Sequence, residues 1–81
     1  MPLVSTVKPD GAEIKARRER AGLTQAELAD LVSRPGVMRA RKTISNLERG
    51  TQAVASLRFI AQIARALEVE PEVLIKTDVA A

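Results

Sequence analysis

The sequence predicts an all-α fold, from the kinds of apolar residue it contains and from their spacing. Apolar residues make up 46% of the 81 residues, yet Phe59 is the single aromatic residue. A core must therefore be built from Leu, Ile, Val and Ala, which suits packed helices. Apolar positions recur at three- and four-residue spacing between residues that begin and end helices. The length allows one small domain, which buries about 60% of its unfolded surface.

The first helix is predicted over residues 11–21. Asp10 can cap its start with a side-chain oxygen, and Gly22 can adopt the left-handed conformation that commonly ends a helix. At about 100° per residue, Ile14 and Arg18 lie on one face of this helix.

The second helix is predicted over residues 25–32 because a capping box precedes it. The Thr24 hydroxyl can accept a hydrogen bond from the backbone N–H of Glu27, and the Glu27 carboxylate can accept from the backbone N–H of Thr24. Leu28 and Val32 supply an apolar face for packing.

The third helix is predicted over about residues 41–49, with helical character returning somewhere between residues 37 and 41. Residues 33–36, with the sequence Ser-Arg-Pro-Gly, precede it with a strong turn signal. Gly50 closes the helix, and a loop is expected over residues 51–55.

Two more helices bring the predicted number to five. Ser56 can cap the fourth, whose apolar positions follow helical spacing: Leu57, Ile60, Ala64 and Leu67. Pro71 suits the first position of a short fifth helix. The helical domain is thus predicted over residues 10–76, after a flexible N-terminal arm at 1–9 and before a C-terminal tail at 77–81.

Composition excludes several classes of function. Cysteine and histidine are both absent, which removes disulfides, thiolate or imidazole metal sites, and the nucleophile–base pairs that use them. No acid–base constellation can be assembled from the other residues, so neither an enzyme nor a cofactor is expected. The chain has no signal-peptide pattern and no apolar run of about 20 residues. A cytoplasmic, nucleoid-associated protein without membrane contact is the simplest expectation.

Positive charge is concentrated in one segment of a chain whose net charge is +3. From residue 33 to residue 50, Glu48 is the one acid, against five basic residues: Arg34, Arg39, Arg41, Lys42 and Arg49. A basic segment on a near-neutral body is typical of a surface that binds a polyanion. On charge alone, an ordinary solvated surface remains the alternative.

A helical wheel divides the third helix into two arcs. The inner arc holds Thr43, Ile44, Leu47 and Glu48. The outer arc is polar and contains no acid: Arg41, Lys42, Ser45, Asn46 and Arg49. An α-helix about 10–12 Å across fits a major groove about 12 Å wide. Arginine and lysine can donate to guanine, asparagine can pair with adenine, and serine can serve either base. This face therefore predicts recognition of double-stranded DNA, with a merely solvated face as the alternative.

Glu48 lies on the inner arc, where an unpaired carboxylate is costly to desolvate. Arg18 lies on the inner face of the first helix, beside Ile14. We therefore predict an ion pair between Arg18 and Glu48 that ties the first helix to the third. The alternative is that both side chains extend separately to solvent.

Residues 14–75 resemble the Xre-type, lambda-repressor-like helix-turn-helix family. The resemblance rests on three stretches in this order: RERAGLTQAELA at 18–29, TISNLERG at 43–50, and SL at 56–57 followed by IARALEV at 63–69. It implies five helices, of which the second and third form the helix-turn-helix, and dimers that bind paired half-sites.

The resemblance also implies roles for individual positions. Four match residues that face base edges: Arg41, Lys42, Ser45 and Asn46. Arg18 and Glu48 match a buried ion pair, in agreement with the wheel. Gln25 matches a residue that hydrogen-bonds a DNA phosphate. Further phosphate contacts are expected from Arg34, Arg39, Thr43, Arg49 and Thr51.

The connection between the second and third helices departs from the family. A lengthened turn, residues 33–40, replaces the usual tight turn and contains Arg34 and Arg39. We expect these arginines to contact the phosphate backbone. A tolerated surface insertion is the alternative, since lengthening a loop costs little entropy.

The leading functional prediction is a repressor-like transcriptional regulator that binds specific double-stranded DNA as a homodimer and acts by occupying an operator. The alternative is an antitoxin-like or adaptor module whose main partner is a second protein, with DNA binding secondary. The apolar surface of the fourth and fifth helices motivates this alternative, and it supplies the candidates for a dimer interface: Phe59, Ile63, Val73 and Ile75.

Overall fold

The computed structural model describes residues 6–32 and 39–76. These residues form four α-helices: α1 (Gly11–Arg20), α2 (Gln25–Val32), α3 (Arg39–Arg49) and α4 (Leu57–Leu67). Two short strands, β1 (Thr6–Val7) and β2 (Ala55–Ser56), pair in antiparallel fashion, and a 3₁₀ helix spans Pro71–Leu74. The predicted helical fold is confirmed, but the fifth helix is a four-residue 3₁₀ helix and not an α-helix. Within these ranges, no helix has the length and apolar character needed to cross a bilayer.

Side-chain caps begin α1, α2 and α4. The Asp10 carboxylate accepts from the backbone N–H of Glu13 at 3.2 Å, and the Ser56 hydroxyl caps α4 in the same way. The capping box of α2 is reciprocal, because Glu27 N–H donates to Thr24 Oγ1 at 3.0 Å and Thr24 N–H donates to Glu27 Oε1 at 2.8 Å. Each cap satisfies a backbone N–H that has no partner within its own helix, and losing one typically costs about 1 kcal/mol.

A core of aliphatic side chains joins all the helices. Its large, almost completely buried members come from every helical element: Ile14, Leu28, Ile44, Leu47, Ile60, Ile63 and Leu74. Burying one such side chain contributes about 1.5–3 kcal/mol relative to leaving it exposed. Because two of these residues, Ile44 and Leu47, belong to α3, one side of that helix faces the core and the other faces solvent.

The N-terminal segment of the domain is hydrogen-bonded to two distant parts of the chain. Strand β1 pairs with β2, which follows α3. Beyond β1, the Lys8 carbonyl accepts from Lys76 N–H at 2.8 Å, and Asp10 N–H donates to the Leu74 carbonyl at 2.8 Å. These bonds hold the start of α1 against the C-terminal end of the domain.

Two connecting segments differ from what the sequence predicts. Residues 6–9 pair with later parts of the chain, through β1, the Lys8 carbonyl and an antiparallel bridge between Pro9 and Ile75, so they do not belong to the flexible arm predicted at 1–9. The last residue of the loop expected at 51–55 lies in β2. A strand of two residues has no detectable period-two pattern, which is why the sequence did not reveal it. Residues 1–5 and 77–81 lie outside the described residues, so the arm and the tail stay predictions there.

Helix α3 begins inside the range of residues 37–41 that the sequence indicated. Its first residue is Arg39, so Arg39 and Ala40 belong to the helix and not to the connection predicted at residues 33–40. The remaining residues of that connection, 33–38, lie outside the described residues. The lengthened turn therefore stays a prediction.

Helix α1 begins where α3 comes close to it. A Cβ placed on Gly11 would overlap the carbonyl oxygen of Leu47 and lie 3.2 Å from the Cα of Glu48. Glycine is therefore required for the start of α1 to contact the last turns of α3. The approach also brings the partly positive N-terminal end of one helix near the partly negative C-terminal end of the other.

Three helices end with a residue in the left-handed conformation. Gly22 and Gly50, both with φ of 76°, follow α1 and α3, whereas Glu68, with φ of 59°, follows α4. The end of α4 is closed by a bond of 3.0 Å from Val69 N–H to the Ala64 carbonyl. Glycine takes this conformation freely, but a residue with a Cβ is destabilised there by about 1–2 kcal/mol.

Replacing the left-handed glutamate is expected to stabilise the protein. Glu68→Gly should raise the free energy of unfolding by about 0.5–1 kcal/mol, because it removes the Cβ strain, partly offset by a more flexible unfolded chain. Chemical denaturation measures this change. Glu68→Ala is the control, since it removes the carboxylate from the helix C-terminus but keeps the Cβ. Equal stabilisation by both variants would assign the effect to charge and contradict the strain argument.

Adding a methyl group at the contact between α1 and α3 is expected to destabilise the fold. Gly11→Ala should lower the free energy of unfolding by about 1–3 kcal/mol, because the backbone of α3 must move to admit the Cβ. Whether the free energy of unfolding falls or rises shows whether the two helices are in tight contact at Gly11. At an uncrowded helical position the same substitution stabilises by about 0.5–1 kcal/mol, so a more stable variant in thermal unfolding would show that the two helices are not in tight contact.

Candidate nucleic-acid interface

Helix α3 presents a cationic face to solvent and an apolar face to the core. Arg41, Lys42 and Arg49 are exposed, whereas Ile44 and Leu47 are buried. Glutamate 48 is the one acid in α3, and its side chain is only 2% exposed. The described side chains on the exposed face of α3 therefore include no carboxylate, which favours contact with a polyanion.

Shorter polar side chains accompany these cations. Ser45 and Asn46, on the outer arc of the wheel, are half-buried, and so is Thr43. From Arg41 to Arg49 the helix rises about 12 Å, or three to four base pairs at about 3.4 Å each. The face thus combines long cations with short hydrogen-bonding groups over a length that suits one half-site of a duplex.

The Arg18 guanidinium and the Glu48 carboxylate form the ion pair predicted from the sequence. Nε of Arg18 donates to Oε2 at 2.7 Å and Nη2 donates to Oε1 at 3.0 Å, while Nη1 donates to the Leu23 carbonyl at 2.8 Å. The two side chains are 10% and 2% exposed. The hydrogen bond to Glu48 raises the pKa of Arg18 above its ordinary value, although desolvation opposes this shift. An arginine is charged at any physiological pH, so the pair is ionic throughout that range on the arginine side.

The Gln25 side chain binds the same carboxylate. Its Nε2 donates to Glu48 Oε1 at 3.0 Å. Because Gln25 is the first residue of α2 and Arg18 lies in α1, Glu48 of α3 contacts both preceding helices. Sequence reasoning missed this bond, since residues 23 positions apart on different helices share no periodic signal.

The other residues predicted to contact phosphate differ in exposure and in whether a hydrogen-bond donor is free. Arg49 is exposed at the end of α3. The Thr51 hydroxyl donates to the Asn46 carbonyl at 3.2 Å, so its one donor is already engaged. Arg34 lies outside the described residues, and so does the side chain of Arg39.

The predicted dimer-interface residues also differ in accessibility. Ile63 is 0% exposed within the core, so the prediction that it lies at an interface is wrong. Phe59, Val73 and Ile75 are partly buried against the core. On a helical wheel of α4, at about 100° per residue, Leu57 lies about 120° from Ile63. Because Ile63 faces the core, Leu57 lies near the edge of the buried side of the helix. Leu57 is accordingly 37% exposed.

Comparisons with known proteins match both the sequence and the fold. The helix-turn-helix domain family matches residues 11–75. A structure of the SinR protein/SinI protein complex is similar with a TM-score of 0.72 and 27% identity, covering 86% of this chain and 63% of that one. This chain therefore spans slightly less than two thirds of that relative. A structure of SinR, described as the master regulator for biofilm formation, in complex with DNA has a TM-score of 0.67 and 28% identity, covering 78% of this chain and 95% of that one. No curated protein sequence matches significantly.

Removing Arg18 is expected to be strongly destabilising. Arg18→Ala should lower the free energy of unfolding by about 3–5 kcal/mol, because Glu48 would keep a buried charge without its partner. Arg17→Ala is the matched control, since Arg17 pairs with Glu13 one turn away and both side chains are about one-third exposed. Its loss should cost at most about 0.5 kcal/mol. Thermal unfolding distinguishes the two, and similar midpoints for both variants would contradict a buried pair.

Proposed function

The chain belongs to the helix-turn-helix domain family, and from this premise we propose that it binds specific double-stranded DNA and regulates transcription by occupying an operator. Helices α2 and α3 form the helix-turn-helix, and α3 is the recognition helix that enters the major groove. One observation carries the proposal: the exposed face of α3 is cationic because its one acid is turned inward and paired with Arg18. The similar SinR structure, which is in complex with DNA, supports it.

Base contacts are assigned to the outer arc of α3. Arg41 and Lys42 donate to guanine O6 and N7, and Asn46 pairs with adenine N6 and N7. Ser45 contacts whichever base lies beside it. These four residues supply the sequence preference of the protein.

Phosphate contacts are assigned to residues around that arc. Gln25 begins α2 and Arg49 ends α3, and Thr43 is a further candidate. Arg39, the first residue of α3, and Arg34, in the predicted longer connection, extend the contact along the DNA backbone. Such contacts set orientation and affinity without carrying sequence information. Binding alone suffices for this function, so neither catalysis nor a cofactor is involved, and the cytoplasmic nucleoid is the site of action.

A homodimer is the proposed binding unit. Two copies of a recognition helix about 34–36 Å apart contact paired half-sites on one side of a duplex. With Ile63 excluded, the remaining candidates for the interface are Phe59, Val73 and Ile75, to which the exposed Leu57 adds apolar surface.

A protein-interaction module is the second candidate function. The similar structure of a SinR/SinI complex is an assembly of two proteins, and this chain exposes large apolar side chains among its described residues: Leu31 at 60%, Val54 at 51% and Leu57 at 37%. A salt series separates the two functions. Binding through several phosphates weakens by orders of magnitude between about 50 and 200 mM salt, whereas apolar protein contacts do not weaken in this way.

Alanine substitution on α3 tests the assignment of the recognition helix. Arg41→Ala, Lys42→Ala and Asn46→Ala should each weaken binding to the preferred duplex by about 1–3 kcal/mol and change binding to random duplex little. The preferred sequence is first selected from a random duplex library. Arg65→Ala, which removes an exposed charge from α4, is the control and should affect neither duplex. Losses equal on both duplexes, or no larger than the control, would remove α3 from base recognition.

Sedimentation of the protein with a duplex that carries two half-sites tests the dimer. We expect two chains per duplex, and a cooperative transition from free to doubly bound DNA, because the interface forms when both recognition helices are seated. A duplex carrying one half-site is the control and should bind much more weakly. A complex that contains one chain on the paired site, at saturating protein, would contradict the homodimer.

A further inference from the structure

The Glu48 carboxylate accepts three hydrogen bonds from residues of two other helices. Its Oε1 accepts from Arg18 Nη2 at 3.0 Å and from Gln25 Nε2 at 3.0 Å, and its Oε2 accepts from Arg18 Nε at 2.7 Å. With only 2% of the side chain exposed, water has little access to replace any of these donors. The bond to Gln25 is therefore made in a shielded environment, where hydrogen bonds to charged groups are strong.

This carboxylate determines which way the Gln25 amide faces. An ionised carboxylate only accepts hydrogen bonds, so the amide must turn its NH₂ group, and not its carbonyl oxygen, toward Glu48. The NH₂ group has two N–H donors, and Glu48 engages one. Because the amide is planar, the second N–H then has a fixed direction, and Gln25 is half-exposed at the start of α2.

We propose that Glu48 is a positioning residue for DNA binding: it holds one N–H of Gln25 and thereby presents the other to a phosphate oxygen. This inference rests on the proposed function and deepens it. The Gln25 side chain is then already held in one conformation in the free protein, so it loses no rotamer freedom when it binds phosphate. For a long polar side chain this loss corresponds to about tenfold in affinity. The buried ion pair therefore contributes to affinity through a residue of α2, although neither of its members contacts DNA.

Two double variants, used as backgrounds for a further substitution, separate the effect of Glu48 on the Gln25 side chain from its effect on stability. Arg18→Met with Glu48→Gln keeps a side-chain carbonyl that can accept from Gln25, whereas Arg18→Met with Glu48→Met has the same length and no strong acceptor. Both remove the buried charges together. Replacing a whole buried ion pair by well-packed apolar residues of similar volume, as in the Met/Met background, is often neutral for stability. The two backgrounds thus differ at residue 48 in a side-chain amide, whose oxygen can accept a hydrogen bond and whose NH₂ group can donate.

Gln25→Ala is then made in the parent protein and in each background, and affinity is measured on one duplex of random sequence at fixed salt. We expect a loss of about tenfold in the parent, where the carboxylate sets the direction of the Gln25 amide, and a smaller loss in the Glu48→Gln background, where a glutamine can donate as well as accept. In the Glu48→Met background the loss should be less than about twofold, because an unpositioned amide contributes little. The same loss in all three proteins, or no loss in the parent, would overturn the inference.

Failure of the proposed function and failure of this inference give different binding results. If the parent protein binds no duplex at all, the proposed function fails together with the inference. If it binds and the loss of affinity on Gln25→Ala does not depend on the background, the inference alone fails.

If one of the double variants does not fold, NMR of the parent protein tests the positioning of Gln25 instead. Of the two Nε2 protons of Gln25, one should exchange slowly in the free protein and the second should become protected when duplex is added. Fast, equal exchange of both protons in the complex would overturn the inference.

Discussion

The ion pair between Arg18 and Glu48 is the contact on which the orientation of α3 depends. Taking two charges from water is costly, and the cost is offset when the charges meet in good geometry with their remaining donors and acceptors satisfied. Here the guanidinium makes two bonds to the carboxylate and a third to the Leu23 carbonyl, and the carboxylate accepts a further bond from Gln25. Any rotation of α3 that breaks this set leaves a buried charge unpaired, so the pair permits one orientation of the helix.

That orientation produces the surface assigned to DNA. With Glu48 turned inward, the exposed face of α3 keeps Arg41, Lys42 and Arg49 without a neighbouring carboxylate to neutralise them. The aliphatic core alone would fix this face only loosely, since apolar contacts are not directional. The absence of a Cβ at Gly11 then allows the last turns of α3 to lie against the start of α1. Hydrophobic burial thus supplies most of the stability, and a few directional contacts set the geometry of the interface.

The sequence predicted what local patterns decide, together with one distant contact, and it missed the other contacts between distant residues. The Thr24 capping box and the glycines after α1 and α3 were predicted, because their hydrogen bonds join residues close in sequence. The ion pair was predicted because each member lies on an inward helical face. The strand pairing was missed, since two residues show no period, and so was the bond from Gln25 to Glu48, which no spacing encodes. The burial of Ile63 depends on where neighbouring helices cover α4, which its own spacing does not fix.

The central claim is that the outward face of α3, held by its buried acid, is the surface that meets DNA. Titration of ¹⁵N-labelled protein with duplex DNA tests this directly, because backbone amide shifts report which residues change environment on binding. The account predicts large shifts in α3 and at the start of α2, and small shifts in the 3₁₀ helix Pro71–Leu74 and the last turns of α4. Shifts concentrated in α4 and the 3₁₀ helix, with α3 unchanged, would contradict it.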